Sequence, residues 1–536
     1  MRCSRETGHL RLWKRVALGV ALVVSCVGGA CSRRAPEPDT VVVLHARDIQ
    51  GLDPHTAGEI WQTQVVLSNL YEGLVAIDPD MSLVPGLASS WTNPDDLTWD
   101  FQLRPNVRFQ TGGTLDAEDV VFSVLRARDH PGSVLRASLA NVKQVSALAP
   151  GRVRIRTAEP DAFLGARLRD VFILSQDWVK ANGEGALETR SAGTGPYRVT
   201  ARVKGTSVDV ERFDGYWRGA AKIPKGRFLA RDYDESNEST LAAGTLTPTS
   251  RVVFLGVPGT ETYKRALRHS VPHFAATLSV TYLGFDLQQA TSPGVRLPPG
   301  VTGNPFLDPQ VRRAVALAVG QKKLIASRLN EGAVPAQLVS TGIFGFDPQL
   351  KRSPFDPAEA LRLLQASPYR EGFEVDLDVR RPTDGVGESI VEDLRALGII
   401  VHVRSHSDPE FFERVAHGKS SLYVLRFSCR TGDAQEFFDK WVHSRDLAQG
   451  MGEFNYSYDV DPVPGLDAEI DSARRELIPA IRREKLKQIM GRVMGAHLAV
   501  PLFTDRDYTF VSRDLVWQNR ADNYRLLYEM RFAKKK

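Results

Sequence analysis

Leu97-Thr-Trp-Asp-Phe-Gln-Leu-Arg104, then Val107-Arg-Phe109 and Leu115-Asp-Ala-Glu-Asp-Val-Val-Phe122, is the stretch from which the fold is read. Trp99, Phe101 and Leu103 alternate with Thr98, Asp100 and Gln102. That period of two predicts a strand with one buried face. The period then changes. Asp116 stands where a helix cap belongs, with Glu118 and Asp119 in the first turn, where the helix dipole favours acids. Val121, Val124 and Leu125 follow at helical spacing. A strand leading straight into a helix excludes all-helix and all-β architectures for this region.

The same alternation extends outward. Val41-Val-Val-Leu44 reads as a first strand. Asp308-Pro309 opens a helix, cap then proline, with a stripe of Val311, Ala314, Val315, Ala318 and Val319 and with Arg312 and Arg313 outside it. Asp356-Pro357 opens another. Ser389-Ile-Val-Glu392 matches a capping box, and Gly398 sits where that helix should stop. Val401 and Val403 resume a strand. Helices and strands alternate irregularly, so the expected class is mixed α/β (α+β).

Length sets the scale. The 536 residues exceed one ordinary core and suit two or three domains. Hydrophobic residues at 42% and charged residues at 25% are ordinary for a globular chain and exclude a disordered or multi-span membrane protein. The formal charge of +5 is concentrated at the start, where Arg2, Arg5, Arg11, Lys14 and Arg15 face only Glu6. The remaining body is close to neutral and carries no electrostatic footprint for nucleic acid.

Those cations precede an apolar run, Val16 to Val24, and then Ser25-Cys26-Val27-Gly28-Gly29-Ala30-Cys31. Charged, apolar and small-residue regions in this order read as an export signal. The run is shorter than the roughly 20 residues of a spanning helix. A cysteine directly after small residues resembles a bacterial lipoprotein signal, with Cys31 or Cys26 as the lipidated residue. Residues 32–39 read as a tether. Cys429 is the one thiol of the body. It is expected to be buried and inert, and the body has no internal disulfide framework.

Catalytic and metal motifs are absent from the sequence. It has no Gly-x-Ser-x-Gly elbow, no His-Glu-x-x-His and no phosphate loop. Gly193-Thr-Gly195-Pro-Tyr197 reads as a tight turn entering a strand. His402 and His406 share a strand face without a third ligand, so a solvated pair is expected. No cofactor, metal or catalytic residue is therefore assigned.

The quoted stretch belongs to an ordered set. Leu52-Asp-Pro54, Leu70-Tyr-Glu-Gly-Leu74 and Leu83-Val-Pro-Gly-Leu-Ala-Ser-Ser-Trp91 precede it. Gly193-Thr-Gly-Pro-Tyr197, Phe213-Asp-Gly-Tyr-Trp217, Asn304 to Ala314, Phe355-Asp-Pro-Ala-Glu-Ala360, Leu394-Arg-Ala-Leu-Gly-Ile399 and Val500-Pro-Leu-Phe503 follow. Over about residues 40 to 515 the chain resembles the family 5 extracellular solute-binding proteins, the oligopeptide and dipeptide receptors of ABC importers. The resemblance implies a periplasmic-binding-protein clamshell of two lobes with an inserted satellite domain. Lobe I would comprise residues 40–60, 189–275 and 505–536, the satellite 61–188 and lobe II 276–504, after a signal at 1–31. It further implies a non-enzymatic, monomeric lipoprotein, membrane-anchored in the periplasm or another extracytoplasmic space. Such a protein would capture a peptide or other small solute and deliver it to an ABC permease.

The resemblance also nominates ligand contacts. Thr431-Gly-Asp433-Ala-Gln-Glu436 is similar to the segment whose acid holds a peptide ammonium, which points to Asp433, with Arg430 and Glu436 beside it. A surface aspartate in a turn at Gly432 is the alternative. Arg381-Pro382 is similar to the pair that clamps a ligand carboxylate, for which a guanidinium fork is suited. Some positions depart from the family pattern. Arg430 stands where an aromatic is usual. Phe109-Gln-Thr-Gly-Gly113 replaces a Phe-His-Asp-Gly turn, Gly320-Gln321 replaces an acid, and Thr245 replaces a glutamate. A second function, a sensor, scaffold or chaperone of the same fold without transport, stays open beside transport.

Overall fold

The structure is a computed structural model that describes residues 39–45, 49–57, 61–230, 251–256, 267–268, 270–326, 332–381 and 385–534. The export signal, Cys26, Cys31, Pro382 and Thr245 lie outside the described residues.

Three sheets organise residues 39–534. The first has seven strands in the order Ser270–Ala276, Arg506–Ser512, Arg251–Gly256, Thr40–His45, Lys225–Ala230, Ser207–Arg212, Tyr197–Val203. Thr40–His45 runs parallel to both of its neighbours. Val41, Val42 and Val43 are all buried, as expected of a strand packed on both faces. The second sheet runs Val295–Arg296, Phe373–Arg380, Leu422–Ser428, Ser279–Phe285, Ala499–Phe503, with Ile399–His406 paired to Phe373–Arg380. Here Phe373–Arg380 is parallel to Ile399–His406 and to Leu422–Ser428. The third sheet is antiparallel, Ala88–Thr92, Thr98–Leu103, Arg152–Thr157, Val142–Ala149, and the helix Ala117–Asp129 packs against it.

The chain crosses between the two large sheets at two adjacent places. One lies at Thr277 and Leu278, between Ser270–Ala276 and Ser279–Phe285. The other lies at Thr504 and Asp505, between Ala499–Phe503 and Arg506–Ser512. The Thr277 N–H donates to the Asp505 carbonyl at 3.0 Å, which ties the crossings together. Two short connections side by side, running in opposite directions between two lobes, are the form a hinge takes.

The third sheet is held to the first by residues from three of the quoted motifs. Glu72 accepts hydrogen bonds from Thr194 Oγ1 at 2.9 Å, Tyr216 Oη at 2.8 Å and Trp217 Nε1 at 2.9 Å. Burial raises its pKa above the usual carboxylate range. Gly193 and Gly195 press against Leu70 and Tyr71, so that a Cβ on either would lie 2.5–2.6 Å from the Leu70 carbonyl oxygen. Gln110, one of the departures from the family pattern, completes the joint. Its Nε2 donates to the carbonyls of Leu70, Gly195 and Tyr197 at 2.5–3.0 Å, and its Oε1 accepts from Ser191 Oγ at 2.5 Å.

Local expectations are met at several helix starts. Asp116 caps Ala117–Asp129 and forms a capping box with Asp119. Asp308 caps Pro309–Ala318, and Asp356 caps Pro357–Gln365. Others are corrected. The buried side of Ala117–Asp129 is Val120, Ser123, Val124 and Ala127, whereas Val121 and Leu125 are only partly buried. Thr98–Leu103 is buried at every position except Gln102, and Arg154 covers Asp100 on the polar face with two hydrogen bonds of 2.7 and 2.8 Å. Arg312 is not outside its helix stripe. It is buried, and its guanidinium donates to the carbonyls of Phe306 at 2.7 Å and Ala496 at 3.0 Å. The helix near Ser389 starts earlier, at Val386, after Gly385 in the left-handed region. Ser389 is therefore interior to it, and no capping box forms. Gly398 does stand in the left-handed region between that helix and the strand Ile399–His406.

Candidate functional site

In the second sheet, the carboxyl ends of the parallel strands Phe373–Arg380, Ile399–His406 and Leu422–Ser428 lie on one edge. Such an edge is where open α/β sheets place ligands. Leu422–Ser428 leads directly into the nominated loop. Five hydrogen bonds fix its shape. Cys429 Sγ donates to the Asp433 carbonyl at 3.0 Å. Glu436 Oε2 accepts from the Thr431 N–H at 3.0 Å and from Thr431 Oγ1 at 2.8 Å. Phe344 N–H donates to the Gly432 carbonyl at 2.8 Å, and Ala434 N–H donates to the Phe344 carbonyl at 2.9 Å. Gly432 is required twice over. Its φ is +77°, and a Cβ there would lie 2.8 Å from the Met81 carbonyl oxygen.

Asp433 is nearly buried, and its carboxylate is already matched. Arg482 Nη1 donates to Oδ2 at 2.6 Å and Nη2 to Oδ1 at 2.9 Å, while the Gln435 N–H adds a bond to Oδ1 at 2.9 Å. Arg482 comes from the helix Pro479–Gly495, lies over the Phe344 ring and also donates to the Ala473 carbonyl. Sequence reasoning missed it. Arg482 is followed directly by Arg483, and the two read alike as solvent-facing residues unless the helix register is known.

Arg169 meets the same loop from the segment that follows the satellite sheet. Its Nη1 donates to the Arg430 carbonyl at 2.7 Å, and its guanidinium lies 5.0 Å above the Tyr524 ring. Burial opposes its charge, but Tyr524, Asp170, Asp522 and Glu436 surround it and raise its pKa above the ordinary arginine value. Further contacts join the two sides. Ala162 N–H donates to the Arg474 carbonyl at 2.8 Å, and Arg475 pairs with Glu159 at 2.8 Å. Arg167 binds Asp161 at 2.6 Å and reaches Asp439 at 3.4 Å, where Arg474 binds at 3.0 Å.

The fold thus brings Arg430, Asp433 and Glu436 into one loop. The Arg430 side chain is exposed, and Glu436 is spent on holding Thr431. Arg381 lies at the end of Phe373–Arg380, on the same strand edge and exposed. Its N–H donates to the His406 carbonyl at 2.9 Å. Among the described residues, no hydrogen bond or ion pair joins it to the other three.

Two further sequence readings are resolved. Cys429 is fully buried, and burial pushes its thiol pKa well up. His406 is not solvated. It is buried beside Asp378, with Nε2 2.6 Å from Oδ1, in a cluster with Arg414 and Ser420 that compensates a fully buried carboxylate, whereas His402 pairs at the surface with Glu374. Among the described residues no group of three or more His, Cys, Asp or Glu side chains could hold a metal ion, and no helix is long and apolar enough to cross a membrane.

The chain as a whole is similar to known proteins. The profile described as Bacterial extracellular solute-binding proteins, family 5 Middle matches residues 82–449. The chain is 29% identical over 376 residues to the glutathione-binding protein GsiB of Escherichia coli (strain K12), covering 68% of this chain and 67% of that protein. Its fold is similar to that of HbpA2 from Haemophilus parasuis, with a TM-score of 0.77 at 20% identity over 92% of this chain and 100% of that one. It is also similar to the periplasmic binding protein DppA from Helicobacter pylori in complex with the peptide STSA. There the TM-score is 0.71 at 20% identity, over 92% and 98% of the two chains.

Proposed function

The chain belongs to the bacterial extracellular solute-binding proteins of family 5, and on that premise we propose that it captures a peptide or peptide-like solute between its two lobes and presents the closed form to an ABC importer. The contact from Arg169 to the Arg430 carbonyl carries this reading, because it joins the nominated loop of one lobe to the opposite side. Closure of that kind favours whichever solute binds the closed state better than the open one. Glutathione, the solute in the name of the GsiB relative, supports the peptide-like class.

In this reading the protein is a binding protein rather than an enzyme, held at the outer side of a membrane by lipid on Cys31 or Cys26. Residues 40–60, 189–275 and 505–536 form one lobe, 276–504 the other, and 61–188 the satellite. Asp433 with Arg482 forms part of the cleft wall. An ammonium from a ligand would share this carboxylate with Arg482 rather than hold it alone.

Intact-mass measurement of the natively purified protein tests the reading. A mass excess that disappears on denaturation identifies a captured solute, and its fragments name the chemistry. A protein with no mass excess that also binds no peptide would sink the transport role and favour the sensor or scaffold role. Masses of the membrane-extracted protein and of its Cys31→Ser and Cys26→Ser variants test the anchor; unchanged masses throughout would exclude it.

A further inference from the structure

At the carboxyl end of the parallel strands of the first sheet lies a cation that the cleft contacts above do not use. Arg525 is completely buried. Among the described residues its Nε and Nη2 have no hydrogen-bond partner. These two N–H groups lie on one edge of the guanidinium and point the same way, which is the edge that accepts both oxygens of a carboxylate. Trp61 forms one wall, its ring 5.0 Å from the guanidinium carbon. His45, the last residue of Thr40–His45, forms another. It is 2% exposed, and neither of its ring nitrogens has a partner among the described residues. The neighbouring Arg525 charge and, above all, burial keep this imidazole neutral, with its pKa down to about 3.

The natural counter-ion is already engaged elsewhere. Asp507 is the carboxylate whose charge Arg525 feels, but it makes no ion pair with Arg525, and Asn523 Nδ2 donates to its Oδ2 at 2.6 Å. Asp507 also feels Arg426, from the strand Leu422–Ser428 of the second sheet, so the cluster stands where the two lobes meet. One residue back along the chain, Tyr524 supports Arg169 and through it the Arg430 carbonyl. The Tyr524–Arg525 pair thus stands beside the contact that joins the nominated loop to the opposite side.

A guanidinium is expensive to bury without an anion, and removing one member of a buried ion pair is strongly unfavourable. With the lobes apart, water can solvate Arg525; with the lobes together, an anion must. We propose that the Nε–Nη2 edge of Arg525, between Trp61 and His45, is a carboxylate-binding subsite, and that this protein's solute is therefore an acid. The inference rests on the reading of the cleft as a solute site and narrows it. Asp433 is neutralised by Arg482, whereas the Nε–Nη2 edge of Arg525 has no hydrogen-bond partner among the described residues, so the unmet demand at this place is for an anion.

The test uses the full purified protein and its Arg525→Gln and Arg525→Lys variants. Each is titrated with glutathione and with dialanine, each in its free-acid and esterified form, and with inorganic phosphate. The unliganded thermal transition is recorded to confirm folding. The expected result is a wild-type preference for at least one free acid over its ester of about a hundredfold, the order set by leaving a buried charge unpaired. Arg525→Gln should bring acid and ester to equal affinity. Arg525→Lys keeps the charge but loses the two-pronged edge, and should retain only a small part of the preference. It decides the matter if the Gln variant does not fold. An undiminished acid-to-ester ratio in the folded variants overturns the subsite, as does a wild type that binds none of the free acids. Phosphate bound in place of both acids would also overturn the carboxylate assignment. A mass excess of an uncharged solute in the native protein would leave solute capture standing while the acid subsite fell.

Discussion

Arg482 and Asp433 face each other fork to fork, with hydrogen bonds of 2.6 and 2.9 Å, and their side chains are only 5% and 12% exposed. A pair this closed to water is destabilised far more by losing one member than by losing both. Asp433→Ala is therefore expected to lower stability by about 3 kcal/mol. Asp433→Ala combined with Arg482→Met should recover much of that loss. Urea unfolding of the two single variants and the double variant measures it. Additive losses would mean that the two residues do not act as a pair.

Gln110 predicts a separate effect at the joint between the satellite sheet and the first lobe. Its side chain serves three carbonyls and one hydroxyl. Gln110→Ala leaves several of these buried groups without a partner, at a cost of about 2 kcal/mol or more. Faster amide exchange should appear around residues 70–71 and 191–197 before the rest of the molecule opens. Uniform exchange across the chain would show that Gln110 is not the local fastener.

How far the sequence could be read differs between these two places. The strand Thr98–Leu103, the capped helices at Asp116, Asp308 and Asp356, and the order of the family motifs were legible, because period and caps are local signals. The convergence of Thr194, Tyr216 and Trp217 on Glu72 was not, since it depends on contacts more than a hundred residues apart. The roles of Arg482, Arg169 and Arg525 are not legible in the sequence for a related reason. A single arginine has no period, and burial turns it from a solvated charge into a partner-seeking one. Arg312 was misplaced because its carbonyl partners lie on other segments.

Three histidines set a pH dependence. Burial, chiefly, lowers the pKa of His45 to about 3, of His55 to about 4 and of His497 to about 4. Unfolded, each binds a proton near pH 6.5. The stability they confer is full above that pH and is lost as the pH falls toward the folded values, because only the unfolded chain takes up the proton. His497 is partly open to solvent and tolerates asparagine, since its φ is +49°. His497→Asn should therefore flatten the decline between pH 6.5 and 5 by roughly 0.5 kcal/mol per pH unit, after allowance for screening. Urea midpoints at several pH values check this; an unchanged slope would remove His497 from the account.

Cys429 should not react with thiol reagents in the native protein. It is fully closed to solvent, and its S–H is donated to the Asp433 carbonyl. Reaction needs the thiolate, which burial disfavours. One equivalent of a disulfide reagent should react with the body only in denaturant. Rapid labelling without denaturant would mean that the loop 429–436 opens on its own.

Arg381 and Arg525 are two candidates for the same ligand group, and their surroundings predict unequal shares. Arg381 is exposed at a strand end, and its described hydrogen bond is through its backbone to His406. An exposed guanidinium holds a carboxylate weakly, because water competes for both partners, and such pairs are worth about 1 kcal/mol or less. Arg525 is sealed from water and gives its partner the full strength of a desolvated pair. Arg381→Ala should therefore reduce the affinity for free-acid peptides by about fivefold at most, leave amidated peptides unaffected and leave stability unchanged. Titration of one peptide in its acid and amide forms reads this directly. Equal losses for both forms would show that Arg381 does not sense the carboxylate. A loss as large as that of Arg525→Gln would move the anion site to the end of Phe373–Arg380, because an exposed side chain can have such an effect only if ligand binding buries it.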